Sequence, residues 1–235
     1  MIAPSGAPFD LAPPEAATLV FGSRFGLAAQ YVQYLAEVAV PRGLLGPAEI
    51  PRLWERHILN CAVVTDLVAE NAVVYDVGSG AGLPGIVWAL RRPDLAVTLI
   101  EPLLRRATFL TECIDALGLN HVGVVRARAE EVSLVATADV VTARAVAPLN
   151  RLAGWTLPLV RVGGELLAIK GGSASEEVEA AKGVVTALGG AKVDIVSCGV
   201  GLLQTPTVVL RVQKSRNAPR SGTTHSRTRR ARRSR

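Results

Sequence analysis

Residues 73–86, VVYDVGSGAGLPGI, join an apolar run to an acidic residue and a glycine-rich turn. The four glycines that follow the acidic residue are Gly78, Gly80, Gly82 and Gly85. Counted from Gly80, they match the G-x-G-x-x-G pattern of dinucleotide sites, and counted from Asp76 they match D-x-G-x-G-x-G. Because glycine lets the backbone approach a ligand without a Cβ clash, either pattern predicts a cofactor-binding loop.

Asp76 distinguishes the two cofactors that such a loop can hold. In a dinucleotide site this carboxylate would face a dianionic pyrophosphate, and like charges at short range cost energy. S-adenosylmethionine has no phosphate and carries an ammonium and a sulfonium group, which an aspartate attracts. Glu101 lies 21 residues after Gly80 and could bind ribose hydroxyls in either case. The loop therefore predicts S-adenosylmethionine as the cofactor, with a nicotinamide-dependent oxidoreductase as the alternative.

The segment ARAVAPLN, residues 143–150, bears on the methyl acceptor. Methylation of an exocyclic amine typically uses a [DN]-P-P-[YF] stretch at the end of the fourth strand, and this chain has Arg144 there. Methylation at carbon 5 of a pyrimidine needs a nucleophilic cysteine near the fourth or fifth strand, where this chain has none. A purine ring nitrogen such as N7 needs neither group, because its lone pair attacks the methyl group directly. Catalysis would then depend on positioning by Arg144 and Arg128, and we expect no general base.

These candidate residues belong to a chain in which short apolar runs alternate with helical stretches. The runs predicted as strands are residues 72–76, 96–101, 121–125, 138–144, 164–170, 192–197 and 207–213. The helices predicted between them lie near residues 83–91, 103–117, 148–158 and 175–188. This alternation implies an α/β fold, with a mostly parallel sheet and helices on both faces. Only GVGLLQTP separates the last two strands, so we expect them to pair antiparallel at one edge.

Two helical segments are predicted before the first strand, at residues 15–40 and 47–69. The second has apolar residues at three- and four-residue spacing, and the sequence PRG at 41–43 separates the two. The chain is therefore expected to comprise three parts, which are an N-terminal helical extension (1–70), a methyltransferase domain (71–213) and a basic tail (214–235).

The net charge of +6 is concentrated in the tail. From Lys214 onward the chain has nine basic and no acidic residues, whereas residues 1–213 have 17 basic and 20 acidic residues. The Ser, Thr, Arg, Gly and Pro content of the tail predicts disorder. Such an arm could bind RNA through counterion release, or it could be an extension that only aids solubility.

Basic residues elsewhere indicate where a polyanionic substrate would bind. Parallel sheets place their sites at strand ends, where Arg128 and Lys170 lie, and Arg56 lies on a helix expected near the loop. We predict that all three bind RNA phosphates, the alternative for each being an ion pair with a nearby carboxylate. His57, next to Arg56, is interpreted as a core histidine.

Several other classes of protein are disfavoured by the sequence. The N-terminus lacks the basic and apolar regions of a signal peptide, and no uncharged apolar run is long enough to span a bilayer. We therefore expect a cytoplasmic protein with no membrane partner. The three cysteines and three histidines are scattered, which argues against a disulfide framework and a metal site. No long exposed apolar edge is evident, so a monomer is expected.

Six segments between about residue 50 and residue 170 carry a family resemblance. They are ERHILNC (55–61), DVGSGAGLPGI (76–86), EPLLRRATFL (101–110), LGLNHVGVVRARAEE (117–131), TARAVAPLN (142–150) and LAIKGG (167–172). With these segments the chain resembles the 16S ribosomal RNA guanine-N7 methyltransferases of the glucose-inhibited division protein B family. The glycine loop with Pro84–Gly85 and the later RA-x-A-x-L pattern are specific to that family when they occur together.

The resemblance implies a three-layer, Rossmann-like methyltransferase fold with a seven-stranded sheet and an N-terminal helical extension. It also implies methyl transfer from S-adenosylmethionine to N7 of a guanine in 16S rRNA, with the small ribosomal subunit as partner. By motif position, cofactor contacts are expected at Gly78, Gly80, Leu83, Glu101, Ala129, Glu130 and Arg144.

The chain departs from the family pattern at two positions. Asn60–Cys61 and Glu101–Pro102 stand where the family usually has Asp-Ser. Glu101 still offers a carboxylate to the cofactor, whereas the loss of an aspartate at position 60 argues against a catalytic role there. A non-catalytic ribosome-binding or assembly factor, which would keep the fold and use the basic tail, is the alternative to an enzyme.

Overall fold

Seven strands form one mixed sheet at the centre of the protein. The computed structural model describes residues 11–132, 134, 136–172 and 174–218. In this part of the chain the strands are β1 Val73–Val77, β2 Ala96–Ile100, β3 Val122–Val125, β4 Ala138–Arg144, β5 Val160–Lys170, β6 Gly190–Cys198 and β7 Thr207–Lys214. Their order is β3-β2-β1-β4-β5-β7-β6, with β1 to β5 parallel and β7 antiparallel to both neighbours. The predicted strands and the antiparallel edge are confirmed.

Helices connect the strands and also precede them. In chain order they are α1 Glu15–Phe21, α2 Phe25–Tyr34, α3 Asn60–Ala62, α4 Gly85–Arg91, α5 Leu104–Leu117, α6 Leu149–Thr156 and α7 Ala174–Ala187. The N-terminal segments are helical as predicted but irregular, with wider π-helical turns at Leu35–Ala39 and Leu53–Leu59. Pro51 lies in the 3₁₀ turn before the second of these, where its missing N–H cannot continue an α-helix.

Alternation along the strands divides the buried side chains between the two faces of the sheet. On β1, Val74 faces one helical layer while Tyr75 faces the other, and Leu167 and Leu166 do the same on β5. The first layer contains the N-terminal helices with α4 and α5, and the second contains α6 and α7. The protein is therefore a three-layer α/β/α fold, as predicted.

The N-terminal helices share a hydrophobic core with α4 and α5. Trp88 on α4 is fully buried, and its Nε1 donates to the carbonyl oxygen of Cys61 at 2.9 Å. Arg91 crosses the same boundary, with Nη1 donating to the carbonyl oxygen of Ala62 at 2.7 Å and Nε donating to that of Val20 at 3.2 Å. The described part of the extension is thus integral to one of the three layers.

The end of β7 corrects the expected start of the basic tail. Lys214 is the last residue of this strand and is 3% exposed. Its Nζ donates to the carbonyl oxygens of Leu157 and Val160, at 2.8 and 2.7 Å. Lys214 therefore belongs to the folded sheet, because both acceptors are backbone groups in the connection from α6 to the first residue of β5. Residues 219–235, which make up most of the predicted tail, lie outside the described residues.

One contact links the extension directly to the glycine loop. Tyr31 on α2 is fully buried, and its hydroxyl donates to the carbonyl oxygen of Ala81 at 2.7 Å. Burial raises the pKa of Tyr31 well above its ordinary value, so the hydroxyl keeps its proton and remains a donor. A Cβ on Gly82 would lie 2.8 Å from the same hydroxyl, so α2 limits the space available to the loop.

The Tyr31→Phe variant should lose about 1–2 kcal/mol of unfolding free energy, because the buried carbonyl oxygen of Ala81 would lack a partner. Urea denaturation measures this loss. Tyr34→Phe is the matched control on the same helix. The ring of Tyr34 contacts Phe109, and within the described residues its hydroxyl makes no hydrogen bond. Equal stability of the two variants would contradict the stabilising role of Tyr31.

Candidate active site

The loop after β1 depends on glycine for two reasons, one conformational and one steric. The φ angles are +73°, +58° and +95° at Gly78, Gly80 and Gly82, a region that other residues rarely adopt. A Cβ on Gly82 would lie 2.4 Å from Cδ1 of Ile86, and a Cβ on Gly85 would lie 2.3 Å from Cδ2 of Leu99. Internal packing therefore requires Gly82 and Gly85 whatever ligand is bound.

Gly78 and Gly80 have a different environment. A Cβ on Gly80 would meet only the carbonyl oxygen of Gly78, at 3.9 Å, so the space beside it is open. A Cβ on Gly78 would lie 2.7 Å from Cγ2 of Val146, a residue that lines the large cleft next to the loop. Gly78 is therefore packed against a residue of the cleft wall, whereas Gly80 has space beside it for a cofactor.

Asp76 lies on β1 with its carboxylate completely buried. Its Oδ2 accepts the N–H of Gly85 at 2.9 Å, whereas its Oδ1 has no partner among the described residues. Burial raises the pKa of Asp76 to about 7, although the hydrogen bond from Gly85 acts in the opposite direction. A buried acceptor without a partner fits the ammonium group of S-adenosylmethionine, which would supply both a hydrogen bond and a counter-charge.

Glu101 follows β2 and joins the glycine loop to the end of that strand. It is 1% exposed, and its two oxygens accept the N–H groups of Gly80 and Leu103, each at 3.0 Å. The guanidinium of Arg106 lies 3.9 Å from the same carboxylate. Each carboxylate oxygen can accept more than one hydrogen bond, so Glu101 retains the capacity to bind ribose hydroxyls.

The remaining predicted cofactor contacts lie at the same edge of the sheet. Leu83 is buried in the loop, and its N–H donates to the carbonyl oxygen of Ser79 at 3.1 Å. Ala129 and Glu130 form a 3₁₀ turn after β3, with Ala129 buried and Glu130 exposed. Because β1, β2 and β3 are neighbours, their ends meet where parallel sheets bind ligands. Direct contact of these residues with the cofactor remains a prediction.

Arg144 ends β4 and is held by two acceptors from the N-terminal extension. Its Nη1 donates to the carbonyl oxygen of Arg56 at 3.2 Å, and its Nη2 donates to Nδ1 of His57 at 2.7 Å. Nε2 of His57 lies 2.6 Å from the carboxylate of Glu49. Glu49, His57 and Arg144 thus form a hydrogen-bonded chain that fixes the direction of the guanidinium.

The protonation state of His57 follows from its two partners. A guanidinium can only donate, so Nδ1 is the acceptor and Nε2 carries the proton that is donated to Glu49. Burial lowers the pKa of His57, and the charge of Arg144 lowers it further. The imidazole is therefore neutral at neutral pH. His57 is buried, as expected of a core histidine, but it also orients Arg144.

A cleft of about 690 Å³ opens beside these residues, between the loops that follow β4 and β5 and the segment that precedes β7. Arg56, Arg144 and Lys170 all line it, so the structure brings three predicted site residues together. The side chain of Arg56 is half exposed, and its Nε lies 3.8 Å from Glu49. The cleft therefore presents positive charge next to the glycine loop.

The surroundings of Lys170 and Arg128, which were also predicted to bind RNA, differ from those of Arg56. Nζ of Lys170 lies 2.7 Å from both the carboxylate of Glu177 and the carbonyl oxygen of Ala147. The ion-pair alternative therefore holds for Lys170, with a partner that the sequence did not indicate. Arg128 is exposed before the turn that contains Ala129 and is not among the described residues that line the cleft. RNA contacts of both side chains remain predictions.

Tyr31 and Glu49 are site residues that the sequence alone does not mark. Glu49 and His57 are eight residues apart, a spacing that places two residues on one helical face, and this was the available signal. The partner of His57 is Arg144, which is 87 residues away in the sequence. Only the fold brings these residues together.

The described residues also limit the chemistry that the site can perform. Within them, no group of three or more His, Cys, Asp or Glu side chains is arranged as metal ligands. No described helix is both long enough and apolar enough to cross a membrane. The cysteines are free and buried, and burial raises their pKa values, to about 11 for Cys61 and about 12 for Cys113. Such thiols are not nucleophilic thiolates at neutral pH.

Two solved structures illustrate how widely the fold occurs. TYW2 of P. horikoshii, in complex with MeSAdo, has a TM-score of 0.56 at 19% identity, covering 77% of this chain and 68% of that chain. A putative S-adenosyl-L-methionine-dependent methyltransferase from Methanococcus maripaludis has a TM-score of 0.55 at 14% identity, covering 83% and 94%. The fold, the glycine loop and the buried carboxylates of Asp76 and Glu101 define an S-adenosylmethionine-dependent methyltransferase.

Sequence comparison identifies the family within this class. Residues 25–205 match the family model of rRNA small subunit methyltransferase G. Ribosomal RNA small subunit methyltransferase G of Rhodococcus jostii (strain RHA1) is 56% identical over 212 residues, covering 89% of this chain and 93% of the relative. The protein of the same name from Streptomyces coelicolor is 55% identical over 201 residues, covering 85% and 84%. The chain belongs to the rRNA small subunit methyltransferase G family, and the resemblance found in the sequence is confirmed.

The His57→Ala variant should reduce kcat/KM for methyl transfer by about tenfold or more while S-adenosylmethionine binds normally, because Arg144 loses its orientation. His57→Asn should restore part of the activity, since its amide oxygen can accept from Arg144 near the position of Nδ1. His121→Ala is the matched control, because His121 contacts the carbonyl oxygen of Ala89 instead. Equal activity of the Ala and Asn variants at position 57 would contradict this role.

Asp76 should make the cofactor-free protein less stable as pH rises. Its pKa is about 7 in the folded state against an ordinary value of 3.8, so its stabilising contribution is complete below the lower value and is lost through the higher one. Between about pH 5 and pH 8, the unfolding free energy should fall by about 2–3 kcal/mol more than in Asp76→Asn. His57 has the opposite pH dependence, but both proteins retain it. Parallel stability curves from urea denaturation would contradict the assignment.

Proposed function

We propose that the protein transfers the methyl group of S-adenosylmethionine to N7 of a guanine in the 16S rRNA of the small ribosomal subunit. The observation that carries the proposal is the buried Asp76, whose Oδ1 has no partner among the described residues, next to a cleft lined by cations. Membership of the family supports ribosomal RNA as the substrate. The enzyme acts in the cytoplasm, where ribosomal subunits are present. We also propose that it acts as a monomer.

The cofactor would lie along the open side of the glycine loop. Oδ1 of Asp76 would accept a hydrogen bond from the methionine ammonium, and Glu101 would accept from the ribose hydroxyls. Ala129 and Glu130 would flank the adenine, with the backbone of Gly78 and Gly80 beside the methionine and ribose. When bound, S-adenosylmethionine supplies a methyl group on a sulfonium leaving group.

The composition of the cleft supports a ring nitrogen as the methyl acceptor. Among the described residues that line it, the one carboxylate is Glu177, which pairs with Lys170 and accepts the N–H of Leu149 at 2.7 Å. That carboxylate is therefore not placed as a general base. N7 of guanine attacks with a lone pair and loses no proton, so it requires neither a base nor a thiolate.

Arg144 is the residue best placed to position the substrate. Two of its N–H groups are used within the protein, and the others can donate to a phosphate oxygen or to O6 of the guanine. A bond to O6 would orient the base while leaving the N7 lone pair free for in-line attack. Arg56 and Arg128 would bind phosphates of the same RNA, and Lys170, which is paired with Glu177, would donate its third N–H to the RNA.

The proposal is tested by incubating the protein with radiolabelled S-adenosylmethionine and small subunits that lack the modification, then identifying the labelled nucleoside. Label should appear as 7-methylguanosine. Gly80→Val should abolish both cofactor binding and labelling, because its side chain would occupy the open space beside the loop and strain a positive φ. Gly123→Val, in open space on β3, is the matched control and should remain active.

Label in a different nucleoside would overturn the proposed acceptor and leave the methyltransferase class intact. If neither subunits nor free rRNA gained label while cofactor binding remained normal, the RNA substrate itself would be wrong. Normal cofactor affinity in Gly80→Val would remove the assignment of the loop.

A further inference from the structure

A second cavity, of about 450 Å³, lies next to the proposed methylation cleft. One wall comes from the N-terminal extension, and the other comes from residues 199–206, the loop between β6 and β7. Arg56, Asn60 and Thr205 line both cavities, so the two spaces share a rim. We call this second space the flanking pocket.

The loop wall of the flanking pocket is held in place by hydrogen bonds. The N–H groups of Leu202 and Leu203 donate to the carbonyl oxygen of Gly199 at 3.1 and 2.9 Å. At the end of the loop, Oγ1 of Thr207 donates to the carbonyl oxygen of Asn60 at 3.0 Å. Hydrogen bonds within the protein therefore define this wall of the pocket.

The lining of the flanking pocket combines apolar surface with amide groups. Leu59, Leu202 and Leu203 contribute apolar surface. The side-chain amides of Asn60 and Gln204 also line it, and in the part of the chain that the structure describes they have no hydrogen-bond partner. An amide offers a donor and an acceptor side by side, which matches the edge of a nucleobase.

The charged residues that line the flanking pocket are Arg52, Arg56 and Glu55, so positive charge predominates there. The side chains of Arg52 and Arg56 both line it and are 55% and 50% exposed. Each lies close to Glu49, at 3.9 and 3.8 Å, but Glu49 is also the partner of His57 at 2.6 Å. The two guanidinium groups therefore have donors available for an anionic ligand at the pocket entrance.

We propose that the flanking pocket binds the nucleotide next to the methylated guanine. Its base lies on the leucine surface and is hydrogen-bonded by Gln204 and Asn60, while Arg52 and Arg56 contact its phosphates. A volume of 450 Å³ is within the range of small-molecule sites, about 300–1,000 Å³. Proteins read RNA sequence mainly from unstacked bases in this way. The inference rests on the proposed function. If the methylated guanine lies in the cleft, the shared rim makes the flanking pocket the adjacent space for the neighbouring nucleotide.

Site-directed crosslinking tests the occupant. A Gln204→Cys variant is labelled with a thiol-reactive benzophenone and irradiated with small subunits that lack the modification, and the crosslink is mapped by primer extension. The three native cysteines are buried, so the label is confined to the new thiol. We expect a crosslink to a nucleotide that directly flanks the methylated guanine. Gln213→Cys, exposed on β7 opposite Glu165, is the matched control and should give none there.

Kinetics provide a second measurement. Gln204→Ala should raise KM for subunits by about fivefold, the effect of losing roughly one hydrogen bond, and should leave KM for S-adenosylmethionine unchanged. Gln213→Ala should match the unsubstituted protein in both constants. Because Gln204 lies on an exposed loop, its replacement should not affect folding.

The outcomes separate this inference from the proposed function. If the unsubstituted protein forms 7-methylguanosine but the Gln204 crosslink maps to a distant nucleotide or a ribosomal protein, the flanking pocket is wrong and the function stands. Unchanged kinetics in Gln204→Ala would have the same meaning. If no 7-methylguanosine forms at all, the proposed function fails and the inference fails with it.

Discussion

The rest of this structure depends on a carboxylate buried at the end of β1. Oδ2 of Asp76 is bonded to the N–H of Gly85, and a Cβ at Gly85 would lie 2.7 Å from that oxygen, so α4 can begin there only with glycine. Oδ1 has no hydrogen-bond partner within the described residues, and because a buried unpaired acceptor costs free energy, a cationic cofactor gains a direct energetic advantage there. The same burial raises the pKa of Asp76 to about 7. The glycine at the start of α4 and the charge of the cofactor therefore both follow from one group.

The N-terminal extension completes the site that this loop begins. Tyr31 supports Ala81 in the loop, and the carbonyl oxygen of Arg56 together with His57 orients Arg144 at the end of β4. The turn that carries Arg56 and His57 is π-helical, a form that is frequent at functional sites. The sheet supplies the cofactor loop, whereas the extension supplies the supports that position it. A change that displaces the extension is therefore expected to disturb both the glycine loop and Arg144.

Positive charge in residues 1–213 is concentrated at particular sites and does not appear as a net charge. Residues 1–213 carry 17 basic and 20 acidic residues, so the net charge of this part of the chain does not favour RNA binding. The cations at the rim shared by the two cavities are instead held individually. Arg144 is fixed by a neutral histidine, and Arg56 extends from the same turn. Such an arrangement favours recognition of a particular RNA geometry over general attraction to polyanions.

Two properties of this protein can be read from its amino-acid sequence, namely its secondary-structure elements and the chemistry of the glycine loop. Short apolar runs that alternate with helical stretches are a local signal, because each run is set by neighbouring residues, and all seven strands follow from them. The signal from Asp76 and its glycines is also local, because all of them lie within residues 76–85. The tertiary structure alone decided the chain from Glu49 through His57 to Arg144, the pairing of Lys170 with Glu177, and the burial of Lys214 in β7. These contacts join residues from different elements, and the packing of layers fixes their distances. No short-range pattern in the sequence encodes that packing.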